Sequence, residues 1–324
     1  MFDRNQVAPL SRKRKHRFAI FVVAALLACL ILLSLWFRQQ AQMYYGLERL
    51  GVRVETEYEH VEWLERITGH RQPSSLERAV ALWFGKRPVD AESLAALLSF
   101  DELRHVGFGS ATNVDALMPH LADARQLQDL RLAETDISDS AFAHVAELNA
   151  LEEMNIDETE LTDSAMRHLQ NLSSLRHLSA NSVPIGDESA RYLQRLTQLE
   201  SLELDQTQLS DEGMAYLAGL KQLKRLHLQG TQVSDVGLQH LGQLPKLEWV
   251  SLCDTNVTPQ GLQTLCSLPR LKSLVLDGTQ VTNQSMRHLA SMPALTSLLI
   301  RPPAMDQATL NRLKKALPLC DLDL

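Results

Sequence analysis

The chain has 324 residues, of which 45% are apolar, so it is long enough to bury a sizeable hydrophobic core. Its formal net charge of −7 and isoelectric point near 5.9 argue against a general nucleic-acid binder, because basic residues are in surplus only in one short N-terminal tract. The four cysteines (Cys29, Cys253, Cys266 and Cys320) form no CxxC pair, which argues against a zinc site and against a disulfide framework.

The first predicted element is a transmembrane helix over residues 18–37. This stretch, FAIFVVAALLACLILLSLWF, contains a single polar residue, Ser34, and as a helix it would span roughly 30 Å, the thickness of a bilayer core. Residues 1–17 form a basic tract with six Lys and Arg, whereas residues 38–57 balance three arginines with three glutamates. The positive-inside rule therefore predicts a cytoplasmic N-terminus, with everything after residue 38 on the periplasmic or extracellular side.

Two other interpretations of residues 18–37 stay open. A cleaved signal peptide usually has an apolar region of about 7–15 residues, shorter than this one. The sequence Leu26-Leu-Ala-Cys29 resembles the end of a lipoprotein signal with a lipidated Cys29, but the residues after it remain apolar where a mature lipoprotein turns polar. A single-pass signal anchor fits the whole stretch best. Residues 38–78 then form a juxtamembrane segment and an N-terminal cap, which includes the amphipathic YEHVEWLERI.

Residues 79–324 repeat the same pattern in 24-residue units. Successive units read, for example, LESLELDQTQLSDEGMAYLAGLKQ and LKRLHLQGTQVSDVGLQHLGQLPK. Each unit starts with period-two alternation (Leu226, Leu228) and changes to helical spacing (Leu238, Leu241), which predicts one strand and one helix per unit. Ten such units and a terminal strand, stacked in register, predict a parallel sheet on one face and helices on the other.

The consensus LxxLxLxxTx[VIL][ST]DxxLxxLxxL resembles that of the leucine-rich repeat family, and in particular its regular, membrane-anchored bacterial members. The family's usual Asn after the strand is replaced by Thr, at Thr135, Thr159, Thr207, Thr231, Thr255 and Thr279. The resemblance implies an α/β solenoid, or horseshoe, with the sheet on the concave face and the helices on the convex face. It also implies that the concave face is the usual contact surface. The family is defined by its architecture, so the resemblance says little about a particular function.

Each unit carries a polar cluster, such as Ser234, Asp235 and His240, that suggests a hydrolase or a metal site. The cluster recurs from unit to unit, and Pro259 takes the place of the aspartate in one of them. Proline is favoured at the first helical position, so we interpret Thr258 and Ser234 as helix N-caps. The aspartates then lie in the first turn, where the helix dipole favours a negative charge. A ladder of calcium ions is the alternative interpretation of the aspartates.

The histidines at one position of the repeat are the other possible ligands. His120, His144 and His168 occur in consecutive units, but no carboxylate or cysteine completes a metal site with them. A half-buried row along the outer helices is the simpler interpretation. The sequence also lacks GxxxxGK[ST], GxGxxG, HExxH and GxSxG, so we predict no cofactor, no metal and no enzymatic activity.

Specificity is expected at the outward positions of the strands, because these differ between units. Those positions are mostly acidic in residues 127–222 and of mixed charge in residues 223–302. An acidic or bipolar groove with a tryptophan anchor would suit a basic or bipolar protein partner. A merely solvated sheet face is the alternative. The predicted partner-binding residues are Glu152, Glu153, Asp157, Glu158, Glu203, Asp205, Arg225, His227 and Trp249.

These patterns together predict a non-enzymatic, membrane-anchored protein that binds another protein through the concave face of its repeats. One alternative is a passive structural component of the envelope or surface, and another is a substrate-recognition subunit of a larger enzyme complex. An enzyme would need reactive residues outside the repeat, and only residues 39–78 offer them (Glu57, Glu59, His60 and Glu62). The sequence predicts neither the partner's identity nor the oligomeric state.

Overall fold

The computed structural model describes residues 52–57, 78–84, 103–300 and 307–323. The chain divides into two units, one of Met1–Gly51 with Tyr58–Glu77 and one of Val52–Glu57 with Arg78–Leu324. All described residues belong to the second unit. The predicted transmembrane helix, 18–37, and most of the predicted cap, 38–78, lie outside the described residues. Within the described ranges, no helix combines the length and the apolar character that a membrane crossing requires.

A twelve-stranded sheet runs through the described part of the chain, with its strands in sequence order. The first two strands pair in antiparallel fashion, and each later pair of neighbours is parallel. The strands are β1 Val52–Glu57, β2 Arg78–Phe84, β3 His105–Phe108, β4 Asp129–Arg131, β5 Glu153–Asn155, β6 His177–Ser179, β7 Ser201–Glu203, β8 Arg225–His227, β9 Trp249–Ser251, β10 Ser273–Val275, β11 Ser297–Leu299 and β12 Asp321–Asp323.

The parallel strands pair with a constant offset equal to the sequence repeat. Glu153, for example, lies opposite Asp129 on one side and His177 on the other, each one repeat length away in the sequence. The same offset holds from Ala81 on β2 to Asp321 on β12. The predicted α/β solenoid is therefore confirmed for the described residues. The antiparallel strand β1 was not predicted, although the alternation Val-Arg-Val-Glu at its start is typical of a strand.

The core is a continuous stack formed by equivalent residues of successive units. The middle residues of the strands, such as Leu202, Leu226 and Leu274, are 0% exposed. Leucines from the helical side, such as Leu217 and Leu241, close the same layer and are at most 1% exposed. Burial of each leucine contributes roughly 1.5–3 kcal/mol, and each unit obtains it only by packing against its neighbours.

Short helices, shorter than the repeat pattern suggests, form the side opposite the sheet. In two units a 3-10 helix follows one turn of α-helix, and in two others a 3-10 helix precedes it. The α-helices are α1 Met118–Leu121, α2 Asp139–Phe142, α3 Asp163–Met166, α4 Asp187–Leu193, α5 Asp211–Leu217, α6 Asp235–Leu238, α7 Pro259–Leu265, α8 Met286–Leu289 and α9 Gln307–Ala316. The 3-10 helices are Val114–Ala116, Ala143–Glu147, Leu241–Gln243 and Asn283–Ser285.

A threonine that follows six of the described strands closes the turn. Thr231 is buried, and its hydroxyl donates to the carbonyl of Leu228 at 2.7 Å. The equivalent threonines make the same bond at 2.6–2.7 Å, as found at Thr135, Thr159, Thr207, Thr255 and Thr279. The buried hydroxyl thus has a hydrogen-bond acceptor within its own turn.

The first-turn aspartates connect neighbouring units, which the repeat pattern alone did not predict. The Asp211 carboxylate accepts the backbone N–H of Ser234 at 2.7 Å, its hydroxyl at 2.6 Å, and the N–H of Gly237 at 2.9 Å. The Ser234 hydroxyl oxygen accepts in turn from the N–H of Val236, so Ser234 is an N-cap as predicted. Each such aspartate therefore joins its own helix to the next cap.

We call this series the aspartate ladder, and it consists of Asp115, Asp139, Asp163, Asp187, Asp211 and Asp235. The residues that donate to it are Ser138, Thr162, Ser164, Gly186, Ser189, Ser210, Gly213, Ser234, Gly237 and Thr258. Pro259, which begins α7, ends the ladder because it has no carboxylate. In the next unit the N–H of Thr282 donates instead to the hydroxyl of Ser285 at 3.3 Å.

Substitution Gly237→Ala should destabilise the protein, although Gly-to-Ala changes in helices usually stabilise by about 1 kcal/mol. A methyl group at this position would lie 2.5 Å from Asp211 Oδ1 and 3.1 Å from Met214 Cγ. Because Asp211 is held by three hydrogen bonds, we expect a loss of about 1–3 kcal/mol, measurable as a lower melting temperature. Gly242→Ala is the matched control, since its nearest new contact is 3.5 Å away. A melting temperature above that of the wild type for Gly237→Ala would contradict the role of the ladder.

The acid sensitivity of the fold should decrease in the variant Asp139→Asn. Burial alone would raise the pKa of Asp139, but hydrogen bonds from Ser164 and Thr162 outweigh it and hold this pKa below its ordinary value. Such a carboxylate stabilises the fold above the unfolded-state pKa of about 3.9, and its contribution is lost as pH falls through the folded-state pKa. Thermal melts between pH 6 and pH 3 should therefore show a shallower fall for Asp139→Asn than for the wild type. Asp123→Asn, at an exposed helix end, should retain the wild-type slope.

Candidate binding surface

The open sheet face is the surface formed by the first and third residues of strands β4–β9, together with the residue before each strand and the second residue after it. All of these positions flank the buried middle residues of the strands. This face includes eight of the nine predicted partner-binding residues, and Glu158 lies in the adjoining turn. The eight are Glu152, Glu153, Asp157, Glu203, Asp205, Arg225, His227 and Trp249.

A charge ladder runs along one side of this face, at the residue that precedes each strand. Arg176 lies 3.6 Å from Glu152 and 2.9 Å from Glu200, and Lys224 lies 2.5 Å from Glu200. The Lys224 ammonium beside Glu200 holds the pKa of that carboxyl below its ordinary value. Each of these exposed pairs contributes little to stability, about 0–1 kcal/mol, but together they cancel the charge on this side of the face.

The acidic residues on the first half of the face are largely paired within the protein. Asp129 is only 4% exposed and contacts the Arg131 guanidinium at 3.1 Å and His105 Nδ1 at 3.6 Å. Glu203 accepts from the Ser179 hydroxyl at 3.2 Å and also from a neighbouring amide. Arg131 thus offsets the charge of Asp129, whereas Glu203 keeps its negative charge but uses its carboxylate for hydrogen bonds within the protein.

Two of the predicted binding residues, Asp157 and Asp205, hold the units together. Asp157 accepts the backbone N–H of Asn181 at 2.6 Å, and Asp205 accepts that of Gln229 at the same distance. Asn181 Oδ1 completes the series by accepting the N–H of Asp205 at 2.8 Å. These carboxylates satisfy backbone groups of the next unit, so their removal would disturb the scaffold as well as the surface.

Three of the predicted binding residues are exposed and make no ion pair or side-chain hydrogen bond with the described part of the chain. They are Glu153 on β5, Arg225 on β8 and Glu158 in the turn after β5. Glu158 adopts a left-handed backbone conformation, with φ of 55°, that non-glycine residues seldom adopt. Glu153 and Arg225 are therefore the two charged residues on strands β4–β9 that have neither an ion pair nor a side-chain hydrogen bond with the described part of the chain.

A depression of about 340 Å³ lies between these two charges. Small side chains, including the buried Ser201 and the half-buried Ser179, keep its floor low. The residues around it are Asp129, Arg131, Glu153, Met154, Asn155, His177, Leu178, Ser179, Ser201, Glu203 and Arg225. The structure thus places a carboxylate and a guanidinium at opposite ends of a shallow polar recess.

An aromatic pair lies next to Arg225. The rings of His227 and Trp249 have centroids 4.0 Å apart and planes inclined by 31°. His227 Nδ1 is also 3.6 Å from Asp205, which orients the imidazole from the other side. Trp249 therefore presents a held, half-buried ring, and Tyr and Trp side chains in this state often anchor protein partners.

The polar clusters of the repeat lie on the helix side, where hydrogen bonds within the protein account for them. His120, His144 and His168 are half-buried, as predicted, and the Arg167 guanidinium donates to His168 Nε2 at 3.1 Å. Burial, and then the charge of Arg167, lower the pKa of His168. Among the described residues, no group of three or more His, Cys, Asp or Glu side chains could hold a metal ion.

Sequence analysis that treats each repeat unit separately does not identify the charge ladder. Its signal is present in the sequence as a column of residues spaced one repeat apart, in which acidic and basic residues alternate. The column reads Glu152, Arg176, Glu200, Lys224, Glu248 and Lys272. Aligning the units by strand position would have shown that these charges are neighbours.

Residues 80–316 match the family model described as a leucine-rich repeat region. The chain belongs to the leucine-rich repeat family. Leucine-rich repeat domains generally mediate interactions between proteins. A search of curated proteins found no match.

Two solved leucine-rich repeat structures similar to this chain are internalins from Listeria monocytogenes. One internalin is 17% identical, with a TM-score of 0.45, over 75% of this chain and 86% of its own. Internalin C2 is 22% identical, with a TM-score of 0.44, over 60% of this chain and 86% of its own.

Alanine substitutions should separate the scaffold residues of this leucine-rich repeat surface from the free ones. Glu153→Ala and Arg225→Ala remove side chains without an internal partner, so we expect stability changes within about 0.5 kcal/mol. Asp205→Ala leaves the Gln229 N–H without its acceptor, and we expect a loss of about 1–3 kcal/mol. Thermal unfolding of the three variants measures these changes in stability. An equal loss in all three would contradict the distinction.

Proposed function

We propose that this leucine-rich repeat protein is a non-enzymatic, single-pass membrane protein that binds another protein through its open sheet face. In this proposal the N-terminus is cytoplasmic, and the repeats lie on the periplasmic or extracellular side. The observation that carries the binding function is the pair Glu153 and Arg225, two exposed charges without an internal partner that both border one recess.

The distribution of charge on the open sheet face supports binding over a passive role. The charge ladder and Asp129 show that this surface pairs its charges internally where neighbours allow it. Glu153 and Arg225 lie on the same face but have no internal partner. The ring pair His227–Trp249 lies next to Arg225 on this face. Charged groups around a recess with an aromatic anchor are the usual components of a protein-binding patch.

The absence of an enzymatic role is supported by the tasks that the reactive side chains already perform. Ser234 and Asp235 cap helices and join units, and the hydroxyl of Thr231 closes a turn. The equivalent residues do the same in other units, so these side chains are explained by the scaffold. The membrane anchor is supported by residues 18–37 and by the basic tract before them.

Site-specific crosslinking in native membranes tests the binding function. A photo-reactive amino acid at position 177, on strand β6 between Glu153 and Arg225, leaves both proposed binding residues in place and should crosslink one defined protein. The same amino acid at position 147, exposed at the end of a 3-10 helix on the opposite side, should not. Identical crosslinks from the two positions, or none from either, would favour the passive structural role.

The same cells test the anchor and its orientation. In a chain whose native cysteines are replaced by alanine, Ser173→Cys places an exposed thiol on the repeats, and Asn5→Cys places one before the apolar segment. A membrane-impermeant maleimide should label Ser173→Cys on sealed cells and Asn5→Cys only after permeabilisation. The reverse pattern would overturn the orientation, and release of the chain by alkaline carbonate would overturn the anchor.

A further inference from the structure

We infer that the partner contributes an extended segment with a cationic and an anionic side chain four residues apart, bound by Glu153 and Arg225 respectively. This inference rests on the proposed binding function and names the chemistry of the segment. It follows from the positions of the two charges, from the recess between them and from the pairing of the other charges nearby.

Glu153 and Arg225 occupy one column of the sheet. Glu153 pairs in register with His177, His177 with Ser201, and Ser201 with Arg225. The two residues are therefore three strand spacings apart, or about 14 Å at about 4.8 Å per spacing. A segment that contacts both must cross the strands rather than extend the sheet, so its side chains and not its backbone make the contacts.

The spacing of the two charges matches an extended peptide. An extended chain rises about 3.3–3.4 Å per residue, so about 14 Å corresponds to four residues. Residues i and i+4 of an extended chain point to the same side, which lets both charged side chains face the sheet. A spacing of two residues spans only about 7 Å and one of six about 20 Å, so neither would place both charges correctly.

The centre of the segment faces the lowest part of the surface. Residue i+2 points to the same side as residues i and i+4 and would lie above Ser201, which is 6% exposed, and the half-buried His177. The recess of about 340 Å³ there provides room for its side chain. The hydroxyl and imidazole that border the recess favour a polar side chain at i+2.

The surrounding charges favour a bipolar segment over one with a single sign. Glu152 and Glu200 are neutralised by Arg176 and Lys224 along the same side. Glu203 also borders the recess, but its carboxylate already accepts two hydrogen bonds within the protein. Glu153 and Arg225 are then the charges without an internal partner, and a dibasic or diacidic segment would place one like charge against one of them. Such a like-charge contact is unfavourable, which gives the site a preference by charge pattern.

Selection from a random heptapeptide display library on the immobilised full chain tests the inference. The wild type should enrich peptides with one basic and one acidic residue separated by three positions. Glu153→Lys should shift the enrichment to two acidic residues, and Arg225→Glu should shift it to two basic residues. The matched controls, Glu147→Lys and Arg195→Glu, make the same charge changes at exposed positions on the helix side and should select as the wild type does.

Synthetic peptides with Lys and Glu at spacings of two, four and six then measure the distance requirement by fluorescence anisotropy. We expect the four-residue spacing to bind about tenfold more tightly than the others, and either charge reversal to remove that advantage. Equal binding at all spacings, or no enrichment of bipolar peptides, would overturn the inference. The proposed function would still stand in that case if crosslinking from position 177 captured its protein, whereas failure of the crosslink would remove both.

Discussion

No single repeat unit of this protein can bury its own leucines, and this constraint determines the rest of the structure. From β4 onward each unit has a three-residue strand, and both sides of its apolar layer are open until neighbouring units close them. Stacking in turn requires every unit to have the same length, because one inserted residue would move the inward leucines of its strand to the other face. The constant offset between paired strands is the direct result.

The same offset governs the polar groups. Because each column contains one residue from each unit, every side chain has its equivalents about 4.8 Å away on both sides. Where one column carries aspartates and the column just before it carries serines or threonines, the two form the aspartate ladder, and where the sign alternates within one column, the result is the charge ladder. In the column of Glu153 and Arg225, His177 and Ser201 lie between them and Asp129 and Trp249 lie on their outer sides, so neither charge has an oppositely charged neighbour in its column.

Much of the fold could be predicted from the sequence because repetition makes a weak local signal strong. The strand at Leu226, the cap at Ser234 and the start of α7 at Pro259 were each predictable from their position in the repeat, and the structure has them. The hydrogen bonds of the Asp211 carboxylate were harder to predict, because its partners Ser234 and Gly237 are distant in sequence and become close only when the units stack. Which charged residues lack an internal partner was harder still to predict. Whether the Glu153 carboxylate is free to bind a partner depends on which carboxylates the Arg176 guanidinium contacts, and the composition of the face does not contain that information.

The interruption of the aspartate ladder at Pro259 has a mechanical consequence. Every joint from Asp115 to Thr258 is reinforced by a carboxylate that binds the next cap, whereas the joint from Pro259 to Thr282 lacks this carboxylate and relies on strand pairing, leucine contact, the Lys272–Glu248 ion pair and the contacts of Cys266. In a linear stack, load passes through each joint in turn. A single proline thereby ends the carboxylate-reinforced run of joints, and the segment with Glu153, Arg225 and Trp249 lies within that run.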